Sequence, residues 1–288
     1  MKKLDPRNLT EEVIGRLSAC RNPRQKEVLT SLIRHMHAFV REVQVTPEEW
    51  MQGIQFLTDC GHITTEKRQE FILLSDTHGV SALVDLIAHE HDPQNATESS
   101  LLGPFYVEGS PEKDLGDTIA SAAAGDEYII VRGHVCNQEG APVEGALLDT
   151  WHSSPTGFYD IQDSTQPEMN LRGRFRTDTR GFFEFRTTRP RYYPIPTDGP
   201  VGKLVLGSGR HPYRPAHVHF IVTAPGFERL ITALYIKGDQ YLDSDVVFGS
   251  RESLVAEYKK NERPDEPDVL EWDFVLAAAK VPQYAVPA

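Results

Sequence analysis

The apolar period of this chain changes once, near residue 126, and that change limits what it can fold into more than any other feature. Ahead of residue 95, Val28, Leu29, Leu32, Ile33, Met36, Phe39, Val40 and Val43 recur at spacings of three and four, which lays an apolar stripe along one side of a helix. Thr46-Pro47-Glu48-Glu49 restarts the pattern, with Thr46 as N-cap, Pro47 at the first helical position and Glu49 closing a capping box. Further helical stretches run through Phe71, Leu73 and Leu74, and through Leu83, Val84, Leu86 and Ile87. Beyond residue 126 apolar positions alternate between the turn signals Asn137-Gln138-Glu139-Gly140, Asp178-Thr179-Arg180-Gly181 and Ala224-Pro225-Gly226. Strands are expected at 128–136, 143–151, 172–177, 182–187, 216–223 and 230–236, then a short helix near 250–260 and a last strand near 270. Pro190 to Gly209, rich in Pro and Gly, reads as an irregular connection of the length that often carries function. The expected class is mainly β with α: a helical N-terminal domain over 1–100 and an antiparallel β-sandwich or barrel over 101–288.

Composition removes several function classes. With 288 residues and 39% hydrophobic content, the chain can bury a large core of its own. A formal charge of -12 argues against a nucleic-acid partner, which needs a concentrated basic stripe to displace counterions. Cys20, Cys60 and Cys136 are widely spaced and lack a Cys-x-x-Cys pattern, so they read as reduced packing residues. Met1-Lys2-Lys3-Leu4-Asp5-Pro6 leads into a polar helix, and no window reaches the roughly 18 apolar residues of a membrane span. No membrane insertion and a cytoplasmic location are expected.

Within the alternating half, Pro215-Ala216-His217-Val218-His219-Phe220 places two imidazoles on one face of a strand, where both can reach one metal ion. The triplets His35-Met36-His37 and His89-Glu90-His91 fall in helical patterns, where residues two apart do not face each other. Imidazole suits zinc, copper, nickel and iron alike, so the other ligands must choose the metal. A zinc hydrolase or an Fe(II) oxygenase wants a carboxylate or a third His from a His-x-Asp or His-Glu-x-x-His arrangement, and neither motif is present. Two tyrosines stand in non-strand contexts instead: Tyr159 in Thr156-Gly157-Phe158-Tyr159-Asp160, and Tyr193 in Pro190-Arg191-Tyr192-Tyr193-Pro194. Phenolate is a hard anionic donor that matches ferric iron.

These residues resemble the intradiol ring-cleaving dioxygenases. The likeness rests on Asp149-Thr150-Trp151-His152, Gly157-Phe158-Tyr159, Thr177-Asp178 with Gly181, Asp198-Gly199-Pro200, Gly209-Arg210-His211 and Arg214 through Phe220, with Gly103-Pro104-Phe105-Tyr106 ahead of them. It implies a prealbumin-like sandwich joined to a helical dimerisation domain, and one Fe(III) per subunit held by Tyr159, Tyr193, His217 and His219. Tyr193 takes the position of the tyrosinate that leaves when substrate binds, and Tyr192 is expected to pack. Arg214 is the implied stabiliser of charge on the reacting ring. Strict alternation sets it on the face opposite His217 unless Pro215 breaks the strand, and a structural ion pair is the other reading. The implied reaction is Lewis-acid activation of a bound aromatic diolate for attack by O2, with ring opening between the oxygenated carbons to a muconate. A homodimer, with phospholipid bound at its helices, is implied as well.

Leu73, Asp76, Gly103, Pro104, Phe105, Ile195, Pro196 and Arg214 are the implied substrate-pocket residues. Catechol-type relatives tend to carry a small residue at Asp76 and Leu at Phe105, so the pattern is similar to the hydroxyquinol 1,2-dioxygenase branch. Asp76 can accept a hydrogen bond from a third ring hydroxyl, or it can simply end a helix. Ala233 stands where relatives usually carry a larger polar side chain, which keeps catechol or chlorocatechol as the alternative substrate. A non-enzymatic sandwich that binds a small apolar ligand would explain the strands and helices, yet leaves the Tyr, Tyr, His, His set without purpose.

Overall fold

A computed structural model describes residues 4–66, 68–121, 127–263 and 265–279; the Met1-Lys2-Lys3 start lies outside them. Helical periodicity in the first part of the chain becomes α1 (Leu9–Gly15), α2 (Pro23–Val43), α3 (Pro47–Ile63), α4 (Glu70–Thr77) and α5 (Val80–His89). The capping box forms as expected: Glu49 N–H donates to Thr46 Oγ1 (3.2 Å) while Thr46 N–H donates to Glu49 Oε2 (2.9 Å). Two compact units result, Met1–Asp59 and Cys60–Ala288, and α4 and α5 belong to the second. In the first unit α1 packs on α2 through Thr10, which accepts from Arg41 Nη1 (2.8 Å) and pairs with His37 Nδ1 (3.0 Å). Val28, Leu32, Met36, Phe39, Val40 and Val43 of α2 are all exposed, an apolar stripe left uncovered by the described residues of its own unit. No single described helix is long and apolar enough to cross a membrane. Cys20, Cys60 and Cys136 form no disulfide among the described residues.

Two five-stranded sheets form the second unit. One is centred on β1 (Tyr128–Asn137), antiparallel to β4 (Phe182–Thr188) and parallel to β11 (Asp268–Glu271) and then β12 (Phe274–Leu276); β10 (Tyr258–Lys259) extends it through β11. The other runs β3 (Arg172–Arg176), β2 (Leu147–His152), β7 (His217–Thr223), β8 (Leu230–Ile236) and β9 (Val255–Ala256). Alternation fills the space between them: Val218, Phe220 and Val222 of β7 join Phe183, Phe185 and Phe274 in one core, and His217 and His219 point to the other face.

Three departures from the expected layout have local causes. The sheets are mixed rather than purely antiparallel, because the chain from Asp268 to Leu276 runs alongside β1 and β9 runs parallel to β8. Gly133 permits this: a Cβ there would lie 1.7 Å from the Trp272 carbonyl oxygen, which bulges between β11 and β12. The helix expected near 250–260 is instead a 3-10 turn at Glu252–Leu254 that feeds β9 and β10, since Leu254 and Ala256 bury on alternate positions. The Pro190 to Gly209 segment carries the short strand β5 (Tyr193–Pro194) and α6 (Pro200–Gly207). Pro200 sits at the first helical position, where its missing N–H costs nothing, and the next amide, Val201 N–H, donates to the fully buried Glu70 Oε1 (3.1 Å).

Candidate metal centre

β7 delivers the histidine pair. His217 and His219 are each 1% exposed, and their Nε2 atoms lie 2.9 Å apart. His217 Nδ1–H donates to the Pro215 carbonyl (2.7 Å), which leaves its Nε2 lone pair facing the site. His219 stacks flat on Trp151, its cross-strand partner on β2, at 4.7 Å and 7°. Its Nδ1 is buried without a hydrogen-bond partner among the described residues. Burial, reinforced by the Arg214 charge, pushes His217 down to about 3, and burial with the neighbouring His217 holds His219 well below its ordinary value. Both rings are therefore neutral near pH 7, the form that binds metal.

Irregular backbone delivers the tyrosines. Tyr159 follows Gly157, whose φ of +85° is left-handed and whose Cβ would lie 3.1 Å from the Tyr192 carbonyl. Only glycine lets this loop press against the Tyr193 segment. The Tyr159 hydroxyl donates to Tyr193 Oη at 3.4 Å, and both rings are buried. Phe105 lies 4.6 Å from the Tyr159 ring and 6.0 Å from the Tyr193 ring, closing one side. Below the loop, the buried Arg172 guanidinium donates through Nε (2.8 Å) and Nη2 (2.6 Å) to Asp160 Oδ1. Burial, followed by the neighbouring Tyr193, raises the Tyr159 hydroxyl well above 10, so this phenol loses its proton only to a strong positive charge at the site.

Arg214 completes the arrangement. Tyr193 pairs with Arg214 through β5 and β6 (Tyr213–Arg214), and the ladder stops before β7 starts at His217. The break at Pro215 and Ala216 brings Arg214 to the side of the ligands, where its Nη1 donates to Tyr193 Oη (3.3 Å). Tyr192 turns the opposite way and packs its half-exposed ring on Tyr213 and Tyr241.

Two neutral imidazoles and two phenols able to become anionic fit a hard trivalent cation. Among the described residues no group of three or more His, Cys, Asp or Glu is placed to share a metal, so the donor set of a zinc hydrolase is not assembled.

A cavity of about 280 Å³ opens beside Phe105, with Leu73, Pro104 and Pro196 among its walls. Gly103 lies against the ligands, a Cβ there being 3.5 Å from His219 Nε2, and Ile195 is buried with its N–H on the Pro212 carbonyl (2.8 Å). Asp76, three residues beyond Leu73 on α4, is buried next to Ser81; desolvation raises its carboxyl while Ser81 and the Arg214 charge oppose. Ala233 is fully buried opposite His219. The cavity also takes Arg68, Ile161 and Gln162, which the sequence did not single out. Gln162 accepts from Tyr159 N–H (3.0 Å), and Arg68 grips Asp198 through two hydrogen bonds (2.8 and 2.9 Å). The only sequence signal for that grip was the Asp198-Gly199-Pro200 match.

A β-sandwich with a buried Tyr, Tyr, His, His cluster beside an apolar cavity defines an intradiol ring-cleaving dioxygenase, and the chain belongs to that family. The family described as Dioxygenase matches residues 101–278, and the one described as Catechol dioxygenase N terminus matches residues 22–96. The chain is 45% identical to a 6-chlorohydroxyquinol 1,2-dioxygenase of Cupriavidus pinatubonensis, covering 96% of this chain and 99% of that one. It is 45% identical to a hydroxyquinol 1,2-dioxygenase of Rhizobium sp., covering 93% and 94%. The crystal structure of hydroxyquinol 1,2-dioxygenase from Pseudomonas putida superposes with a TM-score of 0.88 at 42% identity, over 95% of this chain and 99% of that chain.

Proposed function

We propose that the enzyme opens hydroxyquinol (benzene-1,2,4-triol) between its adjacent hydroxyl-bearing carbons, giving 3-hydroxy-cis,cis-muconate and hence maleylacetate, with one Fe(III) per chain. The observation that carries this reading is the convergence of two imidazole Nε2 atoms (2.9 Å apart) and two tyrosine hydroxyls (3.4 Å apart) in one buried place. Tyr159, Tyr193, His217 and His219 would hold the ion, and the relatives named above support the triol as substrate. When bound, ferric iron supplies Lewis-acid activation of the diolate for reaction with O2.

The side chains then have separable tasks. His217 and His219 stay fixed by their strand, by the Pro215 carbonyl and by the Trp151 ring. Tyr193 Oη accepts from Arg214 Nη1–H, and if it is held as a tyrosinate beside the bound ion it would take up the proton that an incoming diol hydroxyl gives up, becoming a neutral phenol. Arg214 places its permanent positive charge where negative charge grows on the ring. Leu73, Pro104 and Phe105 keep water out, and the Asp76 carboxyl accepts from the third hydroxyl, which penalises rings that lack one.

A visible spectrum of the purified ferric protein tests this directly. A tyrosinate-to-iron band that shifts more on anaerobic addition of hydroxyquinol than of catechol is the expected result. A colourless protein fully loaded with zinc would overturn it.

The exposed α2 stripe supports a homodimer joined through it, and a monomeric mass by light scattering at micromolar concentration would sink that part. Phospholipid at the helices, implied by the family, is read by mass spectrometry of an organic extract, and a cytoplasmic location by fractionation.

A further inference from the structure

Arg214 is held from more directions than charge compensation requires. Its Nε donates to Asp245 Oδ1 (3.2 Å) and its Nη2 to Asp245 Oδ2 (3.2 Å), with Tyr235 Oη 3.4 Å from the same Nη2. Only Nη1 is left, and it points to Tyr193 Oη. Asp245 is itself fixed: Val247 N–H donates to Oδ1 (3.3 Å) and Gly249 N–H to Oδ2 (3.0 Å). Arg214 and Asp245 are 2% and 4% exposed.

The loop that carries Asp245 is built around this contact. A Cβ on Gly249 would lie 2.7 Å from Arg214 Nη2 and 2.9 Å from Tyr235 Oη, so nothing larger than glycine fits without moving the guanidinium. Phe248 adopts a left-handed φ of 58° between two anchored amides, a conformation that a non-glycine residue keeps only when its surroundings impose it. Arg210 imposes it from outside, donating to the Val246 carbonyl (2.7 Å) and to the Thr77 carbonyl at the end of α4 (2.6 Å), with its guanidinium 5.2 Å from the Phe248 ring. Ser100 pins the other side, donating to the Gly249 carbonyl (2.8 Å) and meeting Tyr235 Oη at 2.9 Å. A buried Arg–Asp pair adds little net stability, because both charges lose their water. What two parallel hydrogen bonds do add is direction, since the planar guanidinium then has one orientation.

We propose that Asp245 is a positioning residue that aims the Arg214 Nη1–H at Tyr193 Oη, and that Gly249 is required because any side chain there displaces the guanidinium. Among the described residues Asp245 makes no hydrogen bond to Tyr159, Tyr193, His217 or His219; it acts through Arg214. The proposal rests on the roles given above to Arg214 and Tyr193.

The test uses Asp245→Asn and Gly249→Ala in the iron-loaded enzyme, with iron content measured on each. Expected for Asp245→Asn is a kcat lower by about 100-fold with KM within about threefold of wild type. Full iron and a shifted tyrosinate band should accompany it; Gly249→Ala should show the same pattern at about tenfold. A second readout needs no turnover: the Arg214 Nε–H resonance, assigned by its absence in Arg214→Lys, should be protected from solvent exchange in wild type and exposed in Asp245→Asn. Wild-type kcat per iron and an unshifted band in both variants would overturn the proposal, as would an unprotected Nε–H in wild type. Loss of iron in proportion to activity would reduce Asp245 to a structural role, again overturning it. If Asp245→Asn does not fold, Gly249→Ala decides alone. A wild-type protein that holds no iron and cleaves no ring, yet protects Arg214 Nε–H, would refute the proposed function and leave the geometry of Arg214 standing.

Discussion

The histidine half and the tyrosine half of the candidate metal centre are held by different kinds of structure. His217 and His219 ride on one central strand with neighbours on both sides, two residues apart, and their spacing is fixed by the pleat. Tyr159 and Tyr193 lie 34 residues apart, one on a glycine loop and one on a two-residue strand, and each depends on distant partners for its position. The strand holds its two candidate ligands in a fixed relation. The loops hold theirs through tertiary contacts, and the buried Tyr159 phenol, raised well above its ordinary value, is a donor that needs a cation before it ionises.

The comparison breaks first at the ligands themselves. His219→Ala should lose iron and lower activity on the order of 1,000-fold while far-ultraviolet circular dichroism stays native, because the strand ladder does not need the ring. Tyr159→Phe should lose iron and activity together, whereas Tyr193→Phe should retain more iron, being the ligand that leaves; equal retention, measured by metal analysis, would erase the distinction between the two tyrosines. Asp76→Ala probes the pocket rather than the ligands, and it should cost about tenfold more kcat/KM on hydroxyquinol than on catechol. An equal loss on both rings would refute the hydrogen bond to the third hydroxyl.

Arg68→Ala removes both hydrogen bonds to Asp198 at the cavity wall, so KM should rise severalfold with kcat little changed, as steady-state kinetics will show. A separate effect is on stability rather than turnover. His152, buried beside Thr187 with its Nδ1–H on the Ser153 carbonyl, is pushed down to about 4 by burial. Between its unfolded value near 6.5 and about 4 the unfolded chain binds the extra proton, so stability falls as pH drops through that window, by roughly 3 kcal/mol at its foot. Thermal melts of wild type and His152→Gln should converge across it, with His152→Gln the flatter.

Legibility followed the same division. The strand pair could be read from alternation alone, since period two fixes which residues share a face, and the capping box at Thr46 was equally local. Tyr193 needed the resemblance, because nothing in its neighbours sets it apart from Tyr192; the β5–β6 pairing that turns one ring inward and the other outward is a tertiary fact. α6 escaped notice because the Pro and Gly of the 190–209 segment read as irregular, when Pro200 opens the helix at its first position and Gly209, with φ of +79°, follows its C-cap Ser208. The helix expected near residue 255 failed because burial of Leu254 and Ala256 beside β8 outweighed local propensity. The support of Arg214 was not readable at all, since Ser100, Tyr235 and Gly249 meet across as many as 149 residues.

Gln162 joins the tyrosine half to the cavity in a way that constrains how such an enzyme can diversify. Its side chain fixes the Tyr159 amide and also faces the cavity, and Phe105 has the same double duty, its ring tilted against those of both tyrosines. A mutation at either position that enlarges the pocket also disturbs a ligand, so variants selected for new rings at those sites arrive with impaired metal loading. Leu73 and Asp76 on α4 share no hydrogen bond or ring contact with the ligands among the described residues, and they can change one at a time. A change of ring preference is therefore expected to cost less metal loading when it is made on α4 than when it is made on the wall that Gln162 and Phe105 form.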